Sequence, residues 1–510
     1  MTEKYIAGVD LGTGATKTAL YRQDGTLVAE AIVEVQLHHL RPGAVEQDQD
    51  DFYTTACQTI HRCITQSGID ARQIVAIGFD SQMAGVGAIN EEFRPAARFD
   101  SWLDMRCQPY IDQLTEHHSD LITRLTGCPP TCDHGPKIMW CRDEQPDVYR
   151  NTAKFVMPSC YVAGRMAELR PDEAFVDYTF LHFSALSDAQ TGAWSPQLID
   201  LLGVDASKLP CIVTPWTVIG EVREQASKDS GLAVGTAIVA GAGDTAAGAL
   251  GAGIVKPGML FDTAGTASVL AASTDQYCAD TQNGALIVMR SVINGLWNPL
   301  AYIAGGGLAL RWFRDNFYSP NDMAEGDSYQ QMGDMAAQIE PGAEGLFFSP
   351  HLGGQICPAN PQMRGAWVGF SWGHTQAHFY RSILEGVAFE YAYYLRILRD
   401  LLPNLAFSEA RVIGGGARSG VWNQIKADVL GVNVQRLMRG EFGTWGSAMI
   451  AGHGVGLFPN LGETALSSAR ADGMPYYHRS ELRGVYAPLI EQYITWQSIF
   501  STGFRDQAQG

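Results

Sequence analysis

Residues 240–252 read AGAGDTAAGALGA, a run of Gly and Ala broken by one carboxylate, Asp244, and one hydroxyl, Thr245. Residues 237–240 before it (AIVA) read as the end of a buried strand, and the small residues after it suit a tightly packed helix. An acid at a strand-to-helix junction stands where open α/β sheets place their sites, beyond the carboxyl end of a strand. Gly241 and Gly243 admit close approach of another backbone or of a ligand. The same run also serves as a plain Gly-rich connection with a surface Asp. The surrounding chain decides between the two.

Outward from it, the N-terminal residues 5–34 read as strand, Gly-rich turn, strand, hairpin at Asp24-Gly25, strand. Residues 50–67 follow as an amphipathic helix, with Phe52, Cys57, Ile60 and Ile64 near helical spacing. Residues 74–79 (IVAIGF) are a short buried strand ending at Asp80 and Ser81. The pattern predicts an antiparallel meander that crosses over by a helix to a further strand. The turn LGTGATK is not a P-loop, because Thr16 rather than Gly precedes Lys17. It does not open a helix, so it is no dinucleotide fingerprint either. A β-turn-β clamp remains, in which N–H groups of Gly12, Thr13 and Gly14 face an anion with Lys17 at its edge. Lys17 as a plain solvated strand residue is the alternative.

Residues 259–271 (MLFDTAGTASVLA) echo GVDLGTGATKTAL: apolar strand, Asp, Gly/Thr turn, strand. The echo pairs Asp10 with Asp262 and Gly12-Thr13 with Gly265-Thr266. Two similar starts half a chain apart predict two related lobes, residues 1–246 and 247–510. Residues 376–402 form a long helix with a broad apolar stripe, and residues 442–456 a Gly/Ala-rich one. Between them, a strand runs into GGGARSG, where a triple Gly before a helix suits phosphate, ribose or adenine.

The 510 residues allow two or three domains. A net charge of -18 leaves no basic surplus to replace phosphate counterions, which disfavours nucleic acid. The apolar region near residues 231–272 is interrupted by Asp244, Lys256 and Asp262, so it reads as packed turns rather than a membrane span. The polar start carries no secretory signal, and ten scattered cysteines fit reduced thiols in a cytoplasmic protein.

Taken in order, GVDLGTGATK, DSQMAG, SWLDMR, PKIMW, GAGDTAAGA, DTAGTAS, GAWVGF with RSILEGVAFE, GGGARSGVWNQIKADVLG and EFGTWGSAMIAG resemble the FGGY carbohydrate kinases, and within them the xylulokinase branch. The resemblance runs from about Tyr5 to about Phe458. It implies an α/β fold of two ribonuclease-H-like, actin-like ATPase lobes with the site in the cleft between them. It implies ATP, Mg²⁺ and a small sugar or polyol, and it is compatible with a homodimer. By position it makes Asp244 the catalytic base, and Asp10, with Asp244, the metal side. Gly12, Thr13, Gly14 and Lys17 fall on the first phosphate turn, and Gly265 and Thr266 on the second. Gly307 and Arg311 border the nucleotide, while Gly415, Gly416 and Ser419 match the adenosine segment. Gln82, Met83, Trp102, Asp104 and Arg106 match sugar-contacting segments.

The residue types suit that chemistry. A carboxylate within reach of a hydroxyl orients it and takes its proton, and phosphoryl transfer otherwise needs positioning and charge neutralisation. Planar polar groups such as Asp104 and Arg106, with Trp102 as an apolar wall, suit a polyol. Trp102 as plain core, and Arg106 as a neutraliser of Asp104, stay open. Two departures stand out. Phe370 replaces a smaller aliphatic residue of the C-terminal signature. Ala84 stands where xylulokinases commonly have His, so another pentulose, a polyol, a sugar acid or a small diol competes with D-xylulose. A non-catalytic actin-like ATPase or sugar sensor is the reading from another class.

Overall fold

The computed structural model describes residues 3–318 and 328–509. Its N-terminal part contributes strands β1 (Tyr5–Leu11), β2 (Ala15–Arg22) and β3 (Leu27–Glu34), helix α1 (Gln49–Ser67), and strands β4 (Ile74–Ser81), β5 (Val218–Glu221) and β6 (Ala237–Gly243). The strands form one sheet in the order β5-β6-β4-β1-β2-β3. β1, β2 and β3 are the expected antiparallel meander. α1 returns the chain so that β4 lies parallel to β1, and β6 lies parallel to β4. β1 is covered on both faces, which is why it reads as a continuous apolar run rather than an alternating one.

Helix α2 (Asp244–Gly251) leaves β6 and leads to the second sheet, built from β7 (Met259–Ala264), β8 (Ser268–Ala272), β9 (Ile287–Arg290), β10 (Trp297–Ile303), β11 (Glu409–Ile413) and β12 (Asn433–Arg436). Its order is β9-β10-β8-β7-β11-β12. The run β10-β8-β7-β11-β12 repeats β3-β2-β1-β4-β6 in order and direction. The two lobes are thus the related units the echo predicts. Helices α3 (Gly306–Phe317), α4 (Gln376–Leu401) and α5 (Gly420–Leu430) belong to this second lobe, with α4 buried along most of its length.

The pairing of Asp10 with Asp262 needs correction. Gly12 donates its N–H to the Ala15 carbonyl at 3.1 Å, and Gly265 to the Ala267 carbonyl at 3.0 Å. Aligning these turns sets Asp10 against Thr263 and Asp262 against Val9. A one-residue slip along a strand reverses the face. Asp262 therefore enters the core, 3% exposed, where it pairs with Lys426 and accepts from the Tyr391 hydroxyl at 2.8 Å.

Late in the chain come helices α6 (Gly443–Gly454) and α7 (Arg483–Gln509). α6 is late in sequence, yet it lies on the first lobe, across β1, β4 and α2. Close backbone approach makes this possible. A Cβ on Gly8 would fall 1.8 Å from the Thr444 carbonyl oxygen, and one on Gly446 2.0 Å from that of Ala247. The expected boundary at 246/247 falls inside α2, and the span 247–510 gives one helix back to the first lobe. No helix among the described residues is long and apolar enough to cross a membrane.

Candidate active site in the interlobe cleft

Asp244 sits at the first position of α2, directly beyond β6. Its backbone is fixed from two sides. Gly241, at φ +83°, makes a bulge against β4 in which a Cβ would fall 1.7 Å from the Phe79 carbonyl oxygen. The N–H of Gly243 donates to Thr179 Oγ1 at 2.9 Å, and that hydroxyl donates to Asp177 at 2.5 Å. The two glycines therefore serve protein packing; over Gly243 lies the Met83 side chain. Asp244 Oδ1 accepts from the Thr245 N–H and hydroxyl. Oδ2 has no partner among the described residues. The side chain is open to solvent, yet protein surrounds it on the scale over which charge is felt. That enclosure holds its pKa above the usual carboxylate range, against the Thr245 hydrogen bonds.

Two further acids stand beside it. Asp10 on β1 and Asp80 on β4 are register partners in the parallel pair. Burial, then the charge of Asp244, push Asp10 up to about 6, while Lys17 opposes them. Asp80 is fully buried and raised further, by desolvation and then by Asp10. Its Oδ2 accepts from Ser447 of α6 at 2.6 Å, and its Oδ1 has no donor. A proton retained on Asp80 satisfies that oxygen by donating to Asp10. Sequence reasoning ended a strand at Asp80 without giving it a role. The signal was available: strands β1 and β4 both end in an acid, and parallel neighbours bring such ends together.

The first Gly-rich turn is tied to the predicted sugar wall. Trp102 Nε1 donates to Thr13 Oγ1 at 2.8 Å, and that hydroxyl donates to Gln82 Oε1 at 3.2 Å. Gln82 Nε2 donates to Gln47 Oε1 at 2.8 Å, and Gln47 returns to the Thr13 carbonyl at 3.0 Å. Gln82 is buried and its amide is occupied by this ring of bonds. Gly14 is exposed, with open space where a Cβ would be. Lys17 pairs with Glu441 at 3.3 Å, on the loop entering α6. Ala84 is covered and takes a left-handed φ of 59°.

Asp104 and Arg106 require a correction. Asp104, 1% exposed, accepts from the Val45 N–H and from Arg106 N and Nε. Arg106 also reaches Glu46 at 2.8 Å and Asp100 at 2.6 Å, over the Trp140 ring. Lys137 clamps the carbonyls of Ser101 and Asp104. Arg106 thus serves three carboxylates, Asp104, Glu46 and Asp100, and the pair shapes the loop that carries Trp102 rather than offering an open polar edge.

The second turn, the Gly305–Gly307 stretch and the GGGARSG loop meet at one place. A Cβ on Gly307 would fall 1.9 Å from the Gly265 carbonyl oxygen, and Leu308 donates its N–H to the Thr266 carbonyl at 2.9 Å. Gly414, at φ +87°, packs on the Ala264 carbonyl. Gly415 and Thr266 are exposed, Gly416 covers Trp422, and Ser419 caps α5 by accepting from the Trp422 N–H. Arg311, one turn into α3, is exposed with no partner among the described residues. Glycine backbone and the positive ends of α3 and α5 therefore gather here, a surface suited to phosphates.

Tyr302 on β10 supplies the second lobe's wall. Burial raises its pKa, as do the nearby acidic groups of Cys357, Asp244 and Cys132. Two of these, Asp244 and Cys132, belong to the first lobe, so Tyr302 lies within electrostatic reach of that lobe's site. Its hydroxyl has no partner among the described residues. Nothing in the sequence singled it out, because an aromatic within an apolar strand reads as core.

Residues 5–251 match the N-terminal domain, and residues 261–455 the C-terminal domain, of the FGGY family of carbohydrate kinases. A xylulose kinase of Bacillus subtilis (strain 168) is 27% identical over 492 residues, 96% of each chain. An autoinducer-2 kinase of Escherichia coli (strain K12) is 27% identical over 475 residues, covering 90% of this chain and 88% of its own. The crystal structure of a gluconate kinase from Lactobacillus acidophilus superposes with a TM-score of 0.91 at 22% identity, covering 99% of this chain and 100% of that one. Two family domains in their expected order span nearly the whole molecule, and the chain belongs to the FGGY family of carbohydrate kinases.

Proposed function

We propose that this sugar kinase transfers the γ-phosphate of ATP to a hydroxyl of a ketose, D-xylulose first among candidates, giving D-xylulose 5-phosphate. The observation that carries it is the free, raised carboxylate oxygen of Asp244, set between the acids of one lobe and Tyr302 of the other. A polyol hydroxyl within reach of Oδ2 is oriented by it. As the oxygen bonds to the γ-phosphorus and the bond to ADP breaks, the proton passes to Asp244. The backbone N–H groups of Thr13, Gly14 and Thr266 hold the phosphates, while those of Gly12 and Gly265 close their own turns. The Gly307 and Gly415–Ser419 stretches hold the nucleoside end.

The donor set fits Mg²⁺. The charge of Asp244 raises the proton affinity of Asp10, and burial raises that of Asp244 itself, so a cation is favoured beside both. Both would hold the ion, which supplies charge neutralisation when bound. Trp102, fixed by Thr13, and Tyr302 enclose the sugar. Asp104 and Arg106 act through the loop they brace. A cytoplasmic setting agrees with ten unpaired cysteines.

A second reading, a kinase for another pentulose, a polyol, a sugar acid or a small diol, is favoured by Ala84, a methyl where a polar partner would select the substrate. It also draws on a relative named for autoinducer-2. An ADP-release assay over D-xylulose, other pentuloses, gluconate, glycerol and vicinal diols tests both. The highest kcat/KM on D-xylulose supports the first reading, and another winner replaces it. ADP release that no sugar stimulates supports the actin-like ATPase or sensor instead.

A further inference from the structure

In the second lobe, α4, α5 and the start of α7 line a 580 Å³ cavity open to solvent. Four arginines line it, Arg396, Arg399, Arg479 and Arg483, in a chain of net charge -18. Two are neutralised in place. Arg396 grips both oxygens of Glu491 at 2.9 Å, and Arg479 grips Asp428 through Nε at 3.1 Å and Nη2 at 2.7 Å. Two are not. Arg399 reaches only the Leu430 carbonyl, at 3.3 Å, and Arg483 has no hydrogen bond or ion pair among the described residues. Burial, and then the charge of Arg483, depress the pKa of Arg399, so the two unneutralised guanidiniums feel each other. Arg483 also opens the 27-residue α7, whose positive pole adds to theirs.

A volume of this size is that of a small-molecule site. Arg396 and Arg479 are held by carboxylates, and Arg399 and Arg483, both exposed, lack a counter-charge. Guanidinium pairs of this kind match phosphate oxygens in geometry and charge. We propose that the cavity binds a phosphorylated small molecule between Arg399 and Arg483, remote from the interlobe cleft. Asp428 and Leu430, at the C-terminal end of α5, line it; Ser419, in the stretch assigned above to the nucleotide, caps the N-terminal end of the same helix. A rigid helix of roughly 16 Å joins the two places, so occupancy of one biases the other.

The test uses inorganic pyrophosphate and the whole protein saturated with ADP, which fills the phosphate turns of the cleft. Calorimetric titration should show one site, weakened about tenfold or more in Arg399→Ser and in Arg483→Ser, and kept in Asp244→Asn. Arg483 is exposed and unbonded, so its replacement leaves the fold intact. ADP affinity should then respond to pyrophosphate differently, by about twofold, in the wild type and in Arg483→Ser; direct competition in the cleft is common to both and cancels. No binding to the wild type, binding indifferent to both substitutions, or an identical ADP response overturns the proposal. None of these readouts needs turnover, so they stand apart from failure of the kinase reading, which would show as sugar-independent ADP release.

Discussion

The hydroxyl of Ser447 donates to Oδ2 of Asp80 at 2.6 Å, across 367 residues of chain. The bond ties α6 to the end of β4, one strand from Asp10, and Asp80 Oδ1 has no donor among the described residues. Ser447→Ala removes the only side-chain donor that a fully buried carboxyl has among the described residues. A loss of about 1–3 kcal/mol is expected, read as a lower urea midpoint at unchanged slope. An unchanged midpoint would mean that Asp80 does not depend on α6.

Asp244→Asn keeps the size and removes the proton acceptor. Turnover should fall by about 10² or more, while ADP binding, measured by calorimetry, persists. Near-normal turnover sinks the assignment of Asp244 as base.

Tyr302 offers the acceptor an unpartnered hydroxyl from the opposite lobe. Tyr302→Phe should raise the KM for the sugar several-fold, the worth of about 1 kcal/mol for one hydrogen bond, and leave the KM for ATP near its original value. A change confined to ATP would place Tyr302 outside the sugar pocket.

Ala84 takes a left-handed φ of 59°, a region that His enters more readily than most residues. Ala84→His is therefore compatible with the backbone and should add one polar group beside Gln82 and Met83. The ranking of kcat/KM across ketoses and polyols should change. An unaltered ranking in a folded variant excludes this position from selecting the substrate.

Asp177 holds Thr179, which in turn holds the Gly243 N–H next to Asp244. Burial raises its carboxyl to about 7, against hydrogen bonds from Thr179. The folded state therefore keeps a proton that the unfolded chain releases near its ordinary value of 3.8. Stability from this group is full below that value and is lost as pH rises through about 7. Asp177→Asn accepts the same Thr179 bonds without ionising. Its melting temperature relative to wild type should rise between about pH 4 and about pH 7 and level off above; a flat difference across that window counts against a buried, titrating Asp177.

Local pattern was enough for the meander of residues 5–34, the crossover to IVAIGFD, the strand-to-helix junction at Asp244 and the long helix α4. Each is set by neighbours in sequence: alternation, helical spacing, Asp-Gly and Gly-rich turns. The order of motifs also carried the family and the two-lobed fold. Tertiary structure decided what depends on the face of a strand or on distant partners. The turn register, not the shared letter Asp, turned Asp262 into the core toward Lys426 while Asp10 stayed at the cleft. Packing gave Asp104 and Arg106 to each other, since a short-range motif does not reveal that Glu46 and Asp100 fold against it. The return of α6 to the first lobe rests on close backbone contacts at two glycines, Gly8 beneath Thr444 and Gly446 against Ala247, whose partners lie far away in sequence.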